Sequence, residues 1–230
     1  MEAIILAGGM GTRLSGVIDD VPKPLAPVGG RPFLDYLLMW LASQEVTRVV
    51  LSIGYKGELI MSNYGSRFGG LSIEYCTEEY PLGTGGAIKK SVHICRDETV
   101  LVLNGDSFYS AGLSEMRMRH MAASADVTVA VKEMKEYDRY GTVIAEEGVV
   151  TAFYEKQHKK RGLINCGVYV LRRKAILERD LPDAFSFERD FLQKAGLHIL
   201  AVQFEGGFID IGTPEDYALA QTLLPQWVSP

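Results

Sequence analysis

The sequence predicts an α/β fold: a mixed, mainly parallel, twisted sheet flanked by helices, in one domain over residues 1–230. Three observations carry this expectation. Short apolar runs recur at Ala3–Ala7, Arg48–Ile53, Leu71–Cys76 and Thr99–Leu103, as strands covered on both faces read. Segments with helical spacing lie between them, and that alternation builds βαβ units with right-handed crossovers. No low-complexity linker and no internal repeat divides the chain.

Taken in order, Ala3–Ala7 is the first strand and a loop follows it. Phe33, Leu34, Leu37, Leu38 and Leu41 recur at helical spacing and place a helix over Phe33–Gln44. Arg48–Ile53 is a strand, Gly57–Tyr64 a short helix, Leu71–Cys76 a strand, Gly86–His93 a helix and Thr99–Leu103 a strand. After Asp126 the texture changes. Thr142–Ala145 and Val149–Tyr154 flank Glu146-Glu147-Gly148 as a hairpin. Leu163–Leu171 and Ile199–Phe204 add strands, with helices near Arg173–Arg179 and Phe187–Lys194. Thr213-Pro214-Glu215-Asp216 opens the last helix, with Thr as N-cap and Pro at the first helical position.

A hydrophobic content of 47% with a net charge of −5 suits a soluble globular protein and gives no support to general nucleic-acid binding. The chain has no apolar run of about 18 residues and no signal-like amino terminus, so the expected setting is cytoplasmic, without a membrane partner. Cys76, Cys95 and Cys166 lie far apart with apolar neighbours and read as buried small hydrophobes, not a disulfide framework. The four histidines form no ligand-spaced pair, which argues against zinc.

The run Gly8-Gly9-Met10-Gly11-Thr12-Arg13 breaks off the first strand. Glycines there let backbone N–H groups turn toward an anion, although the loop alone reads equally as a tight strand-to-helix turn. Leu14 stands where the dinucleotide fingerprint wants Gly or Ala, and no G-x-x-x-x-G-K-[ST] occurs. Lys23 sits between Pro22 and Pro24, on what reads as a stiff, extended segment. Arg13 and Lys23 together would clamp a polyphosphate from two sides. A second loop, Pro81-Leu82-Gly83-Thr84-Gly85-Gly86-Ala87, offers close approach to backbone and a helix N-terminus behind it. Asp106 and Asp210 each follow an apolar strand, where ligands of open α/β sheets gather. Two carboxylates brought together there suit a hard dication such as Mg²⁺ with phosphates. A turn or cap role for Asp106 stays open; for Asp210 it is weaker, because Thr213 already caps the next helix.

With these pieces named, the chain resembles the sugar-1-phosphate nucleotidylyltransferases from Met1 to about Leu224. The likeness rests on AGGMGTRL, PKPLAPVGGRP, PLGTGGA, LNGDSF, FYEK, INCGVYVL and FIDIGTPEDY, all in family order. YDRYGTV, GLINCGVY and FSFE make it most similar to the bacterial D-glycero-D-manno-heptose 1-phosphate guanylyltransferases. The resemblance implies a single Rossmann-like nucleotidyltransferase domain, with residues 1–125 mainly binding nucleotide and 126–224 mainly binding sugar phosphate. It implies that Leu6, Ala7, Gly8, Gly9, Gly11, Thr12, Arg13, Lys23, Glu78, Gly83 and Gly105 hold the nucleotide. Asp106 and Asp210 would ligate Mg²⁺, and with Arg13 and Lys23 would form the catalytic set. Asp138, Arg139, Tyr140, Gly141, Glu155, Lys156 and Asn165 would contact the sugar phosphate, Lys156 on its phosphate.

The implied reaction is attack of a sugar-1-phosphate oxygen on the α-phosphorus of a nucleoside triphosphate, with pyrophosphate leaving. The attacking oxygen is already anionic, so no general base is required, in keeping with the lack of a plausible Ser-His or Cys-His pair. GTP is the expected nucleotide, because one carboxylate at Glu78 accepts both guanine N1–H and N2–H₂; a solvated role for Glu78 and Glu79 remains the competing reading. Uridylyl transfer to N-acetylmuramate 1-phosphate, guanylyl transfer to mannose 1-phosphate and a non-catalytic nucleotide-sugar sensor stay open. A nicotinamide-dependent dehydrogenase is disfavoured by the missing third glycine. Assembly is open too, a homo-oligomer included.

Overall fold

The computed structural model describes residues 1–9, 20–154 and 156–228. The first half contains β1 (Glu2–Leu6), β2 (Pro27–Val28), β3 (Arg31–Pro32), α1 (Phe33–Ser43), β4 (Arg48–Ile53), α2 (Gly57–Tyr64), β5 (Arg67–Phe68), β6 (Leu71–Thr77), α3 (Gly83–Val92), β7 (Thr99–Asn104), β8 (Ser107–Tyr109) and α4 (Leu113–Ala122). The second half contains β9 (Val127–Tyr137), β10 (Thr142–Glu146), β11 (Val149–Tyr154), β12 (Lys159–Arg172), α5 (Arg173–Leu177), β13 (Ile199–Gln203), β14 (Phe208–Asp210) and α6 (Pro214–Trp227).

Ten strands form one mixed sheet in the order β10-β11-β13-β9-β12-β7-β1-β4-β6-β5. Parallel order runs through β6, β4, β1 and β7. Their side chains are covered on both faces: Ala3, Ile4, Ile5, Val49, Val50, Leu51, Leu101 and Val102 are wholly buried. That two-sided burial is why these strands read as unbroken apolar runs. The strand order reverses at β1, with β4 on one side and β7 on the other, all three parallel. The carboxyl ends of β1 and β7 therefore open onto a crevice, the place where this architecture holds ligands.

The second half is mostly antiparallel. β12 pairs with β7 on one side and β9 on the other, and β13 lies parallel to β9. β10 pairs with both β11 and β12, and β11 touches β13 at Val149–Leu200. The pairing runs β10, β11, β13, β9, β12 and back to β10, so these strands close into a ring, joined at β11–β13 by one residue pair and at β10–β12 by two. The β10–β11 hairpin turns at Glu147 and Gly148, both with positive φ (50° and 81°), as a two-residue hairpin loop demands. At the last helix, the Thr213 hydroxyl accepts from the Asp216 N–H (3.2 Å) and Pro214 takes the first turn, as expected.

Several elements depart from the sequence reading. α3 begins at Gly83, three residues before the expected start, because the segment at 183–185 packs onto its small first turn. The expected Phe187–Lys194 helix is a wide π-type turn over Phe187–Leu192. α4 and β9 were not anticipated. In α4 only Leu113, Met116 and His120 are buried, a narrow stripe in an otherwise polar segment. Lys23 stands in a tight 3₁₀ turn, Lys23–Leu25, not on an extended segment. Pro22 ahead of it is extended (φ −66°, ψ 151°), and the turn closes through Leu25 N–H to Pro22 O at 2.8 Å.

Candidate active site

At the crevice, a cavity of about 740 Å³ is lined by the residues that end β1 and β7 together with the loops after β4 and β6. Leu6, Ala7, Gly8 and Gly9 supply one wall, Asn104, Gly105 and Asp106 another, and Lys23 and Pro24 reach in between them. Glu78, Gly83, Thr84 and Ala87 close the far side, and the exposed rings of Tyr55 and Tyr80 rim it. Every described residue assigned to the nucleotide from the sequence lines this one space. Gly11, Thr12 and Arg13 lie outside the described residues.

Gly8 is fixed by crowding. A Cβ there would stand 2.8 Å from Glu78 Oε1 and 3.1 Å from Gly54 N, so a side chain at this position would displace the Glu78 carboxylate. The carboxylate accepts from Ser52 Oγ (3.2 Å) and Leu82 N–H (3.3 Å). It is partly buried and held in place, not a freely solvated surface group.

The second glycine loop works differently from the expectation of ligand approach. Cβ atoms on Gly85 and Gly86 would fall 2.2 Å from the Phe185 ring and 2.1 Å from Asp183 O. Their N–H groups both donate to Phe185 O. The first turn of α3 is thus committed to the 183–185 segment and is not an open anion site. Pro81, Gly83, Thr84 and Ala87 of this loop face the cavity.

Beside the cavity, two strand ends bring acids together. β8 and β14 pair antiparallel with Asp210 opposite Ser107, and Ile211 N–H donates to Asp106 O at 3.0 Å. The ribbon is seated by aromatic contacts, Phe108 against Trp40 of α1 (5.4 Å) and against Trp227 of α6 (6.3 Å). Lys23 Nζ donates to Asp106 Oδ2 at 2.7 Å. The Gly212 N–H donates to Asp210 Oδ1. Burial and then repulsion from Asp106 push the Asp210 carboxyl above the usual aspartate range, against the opposing pull of Lys23, the Gly212 amide and Arg139. A carboxylate strained in this way by a like neighbour is what a hard dication relieves. The pair fits a metal held by two protein carboxylates and completed by other oxygens; no group of three or more protein ligands occurs among the described residues.

The sugar-side candidates divide. Arg139 pairs with Asp216, the residue that completes the α6 cap, and its guanidinium lies 5.5 Å from the Tyr140 ring centre. The Tyr140 ring meets Phe208 of β14 edge-on at 5.3 Å, so Arg139 and Tyr140 sit on the Asp210 side. Gly141 O accepts from Asn165 N–H at 3.0 Å. Asp138 and Lys156 are exposed, and Glu155 lies outside the described residues. The sequence reading missed Asn104, Gly54, Tyr55, Tyr80 and Thr84 as cavity-lining residues. Asn104 carried a signal, as the neighbour of Gly105 at a strand end; the two tyrosines carried none.

The fold and this site define a nucleotidyltransferase: the chain belongs to the nucleotidyl transferase family, whose model matches residues 2–226. It is 47% identical to D-glycero-alpha-D-manno-heptose 1-phosphate guanylyltransferase of Aneurinibacillus thermoaerophilus, over 99% of this chain and 100% of that protein. It is 43% identical to the enzyme of the same name from Campylobacter jejuni, over 94% of this chain and 97% of that one. Among solved structures it is similar to HddC from Yersinia pseudotuberculosis complexed with GMP-PN, with a TM-score of 0.87, 35% identity and coverage of 96% and 97%. Such transferases generally depend on a divalent metal. No helix among the described residues is long and apolar enough to cross a membrane.

Proposed function

We propose that the protein transfers a guanylyl group from GTP to D-glycero-α-D-manno-heptose 1-phosphate, giving the GDP-sugar and pyrophosphate, in the cytoplasm. The observation that carries this reading is the convergence of Lys23, Asp106 and Asp210 beside the cavity at the switch point of the sheet. Full-length likeness to two heptose 1-phosphate guanylyltransferases supports the choice of sugar.

The phosphoryl oxygen of the sugar phosphate attacks the α-phosphorus in line as the bond to pyrophosphate breaks. That oxygen is anionic at neutral pH, so the protein has no proton to remove. Its work is to align two polyanions and balance their charge. Lys23, fixed by its turn between two prolines, supplies one positive charge at the α-phosphate; Arg13 is assigned to the phosphates on its motif alone. Asp106 and Asp210 would hold Mg²⁺, which when bound neutralises phosphate charge and polarises the phosphoryl group. Glu78 faces the base, with Ser52 and Leu82 holding its carboxylate ready for the two adjacent guanine donors. Residues 126–224 receive the sugar phosphate through Arg139, Tyr140, Gly141, Glu155, Lys156 and Asn165, with Asp138 on hydroxyls.

The test is a matrix of four nucleoside triphosphates against several sugar 1-phosphates, scored by pyrophosphate release with and without Mg²⁺. Release with GTP and the heptose phosphate well above every other pair is expected. Preference for UTP, or for another sugar phosphate, overturns the substrate; no release from any pair overturns the transferase reading and leaves a sensor.

A further inference from the structure

The segment Phe185-Ser186-Phe187-Glu188 contributes nothing to the cavity wall, yet its acid stands between both halves of the site. Glu188 Oε2 accepts from Thr84 Oγ1 (2.9 Å) and Ser186 Oγ (3.2 Å). Thr84 lines the nucleotide cavity and also accepts from Phe187 N–H at 2.9 Å. On the other side, the Tyr169 hydroxyl donates to Glu188 Oε1 at 3.5 Å. Asn165 Nδ2 donates to that same hydroxyl at 2.7 Å, while Asn165 Oδ1 accepts from Gly167 N–H at 3.0 Å.

The direction of this chain is fixed by chemistry. An ionised carboxylate only accepts, so Tyr169 must donate to it and its oxygen is left to accept from Asn165. The Asn165 amide then has one orientation, and it keeps one N–H and one lone pair that this chain of bonds does not use. Two backbone devices hold the chain in place. A register shift in β12 between Asn165 and Tyr169 re-aims the side chains there. The π-type turn at Phe187–Leu192 carries Glu188, and the Phe187 ring packs edge-on against Tyr169 at 5.1 Å.

We propose that Glu188 is a positioning residue for the sugar phosphate. Through Tyr169 it sets the Asn165 amide for the sugar, and through Thr84 it locks that setting to the nucleotide wall. The inference rests on the proposed role of Asn165 in holding the sugar phosphate.

The experiment compares E188Q, Y169F and E188Q/Y169F with wild type in steady-state kinetics with GTP and heptose 1-phosphate. It also follows the Asn165 side-chain amide resonances by NMR. E188Q keeps the shape but lets the Tyr169 hydroxyl reverse; Y169F removes the hydroxyl while leaving Thr84 and Glu188 in contact. Each single variant is expected to raise KM for the sugar phosphate by roughly 10-fold, the scale of a hydrogen bond to a charged group. KM for GTP in Y169F stays within about twofold, and the double variant is no worse than E188Q, because both act on one chain. Both singles shift the Asn165 amide resonances alike. Multiplying losses, or an unchanged sugar KM in folded E188Q, overturns the proposal. If wild type turns over no substrate pair, the functional reading fails by itself. The NMR comparison still decides the relay, since unmoved Asn165 resonances in both singles overturn it.

Discussion

The Lys23 ammonium, 2.7 Å from Asp106 Oδ2, is the cation that also faces Asp210, whose carboxyl is held above its usual range. Lys23 thus acts on two acids drawn from strand ends far apart in the chain, with Arg139 also acting on Asp210. On the proposed role at the α-phosphate, replacing Lys23 with alanine removes that charge and leaves the acids opposed. The expected loss is about 10²–10³ in kcat, the scale for one charge-stabilising group. Pyrophosphate release measures it; a kcat within tenfold of wild type contradicts the assignment.

Asp210 gives a prediction about stability. Its folded pKa lies above the unfolded one, so its favourable contribution is complete below the ordinary aspartate range and is lost as pH rises through the raised value. At neutral pH without metal, the ionised carboxylate costs stability. D210N is expected to melt about 2–4 °C higher than wild type at pH 7.5, the shift for roughly 1 kcal/mol in a chain of this size. The gain narrows as pH is lowered. Mg²⁺ raises the melting temperature of wild type but not of D210N, which is also inactive. Thermal scans across pH with and without Mg²⁺ read all of these.

Glu78, lodged against Gly8, should decide the base. E78Q leaves one oxygen acceptor where guanine presents two donors. The ratio of kcat/KM for GTP over UTP is expected to fall roughly 10- to 100-fold, as for loss of charge-assisted hydrogen bonds. An unchanged ratio removes Glu78 from base recognition.

Arg139 separates activity from stability. Its side chain is 39% exposed, so its ion pair with Asp216 is screened by solvent and contributes at most about 1 kcal/mol. R139A should unfold within a few degrees of wild type yet lose sugar-phosphate turnover with little change in KM for GTP. Equal losses toward both substrates, or a collapse in melting temperature, argue for a purely structural pair.

Far from the cavity, Arg48 joins Glu2 and Glu74 across β4, β1 and β6, with Glu2 and Arg48 almost wholly buried. Burial opposes ionisation of Glu2, but the amides of Asp97 and Arg96 and the Arg48 guanidinium outweigh it and lower its pKa. A lowered folded pKa means stability present above the ordinary glutamate range and lost as pH falls. R48A leaves the buried Glu2 carboxylate without its cation, held by the Arg96 and Asp97 amides alone, and should cost about 3 kcal/mol, without altering KM for either substrate. Urea titration of R48A and wild type at several acid pH values checks both effects.

The sequence by itself determined the parallel strands, the Thr213 cap, the β10–β11 turn and the placing of Asp106 and Asp210 at strand ends. Each is written in residues that are neighbours in the chain: an apolar run, a Thr-Pro pair, a Gly after two acids. The family resemblance, more than local pattern, singled out Leu6, Ala7, Gly8, Gly9, Lys23, Glu78, Gly83 and Gly105, all of which line the cavity. Only the tertiary structure decided that Gly85 and Gly86 serve the 183–185 segment and that Glu188 joins Thr84 to Tyr169. The partners in those contacts lie up to 104 residues apart. Periodicity reports which face of a segment avoids water; which distant segment covers that face is fixed when the sheet assembles.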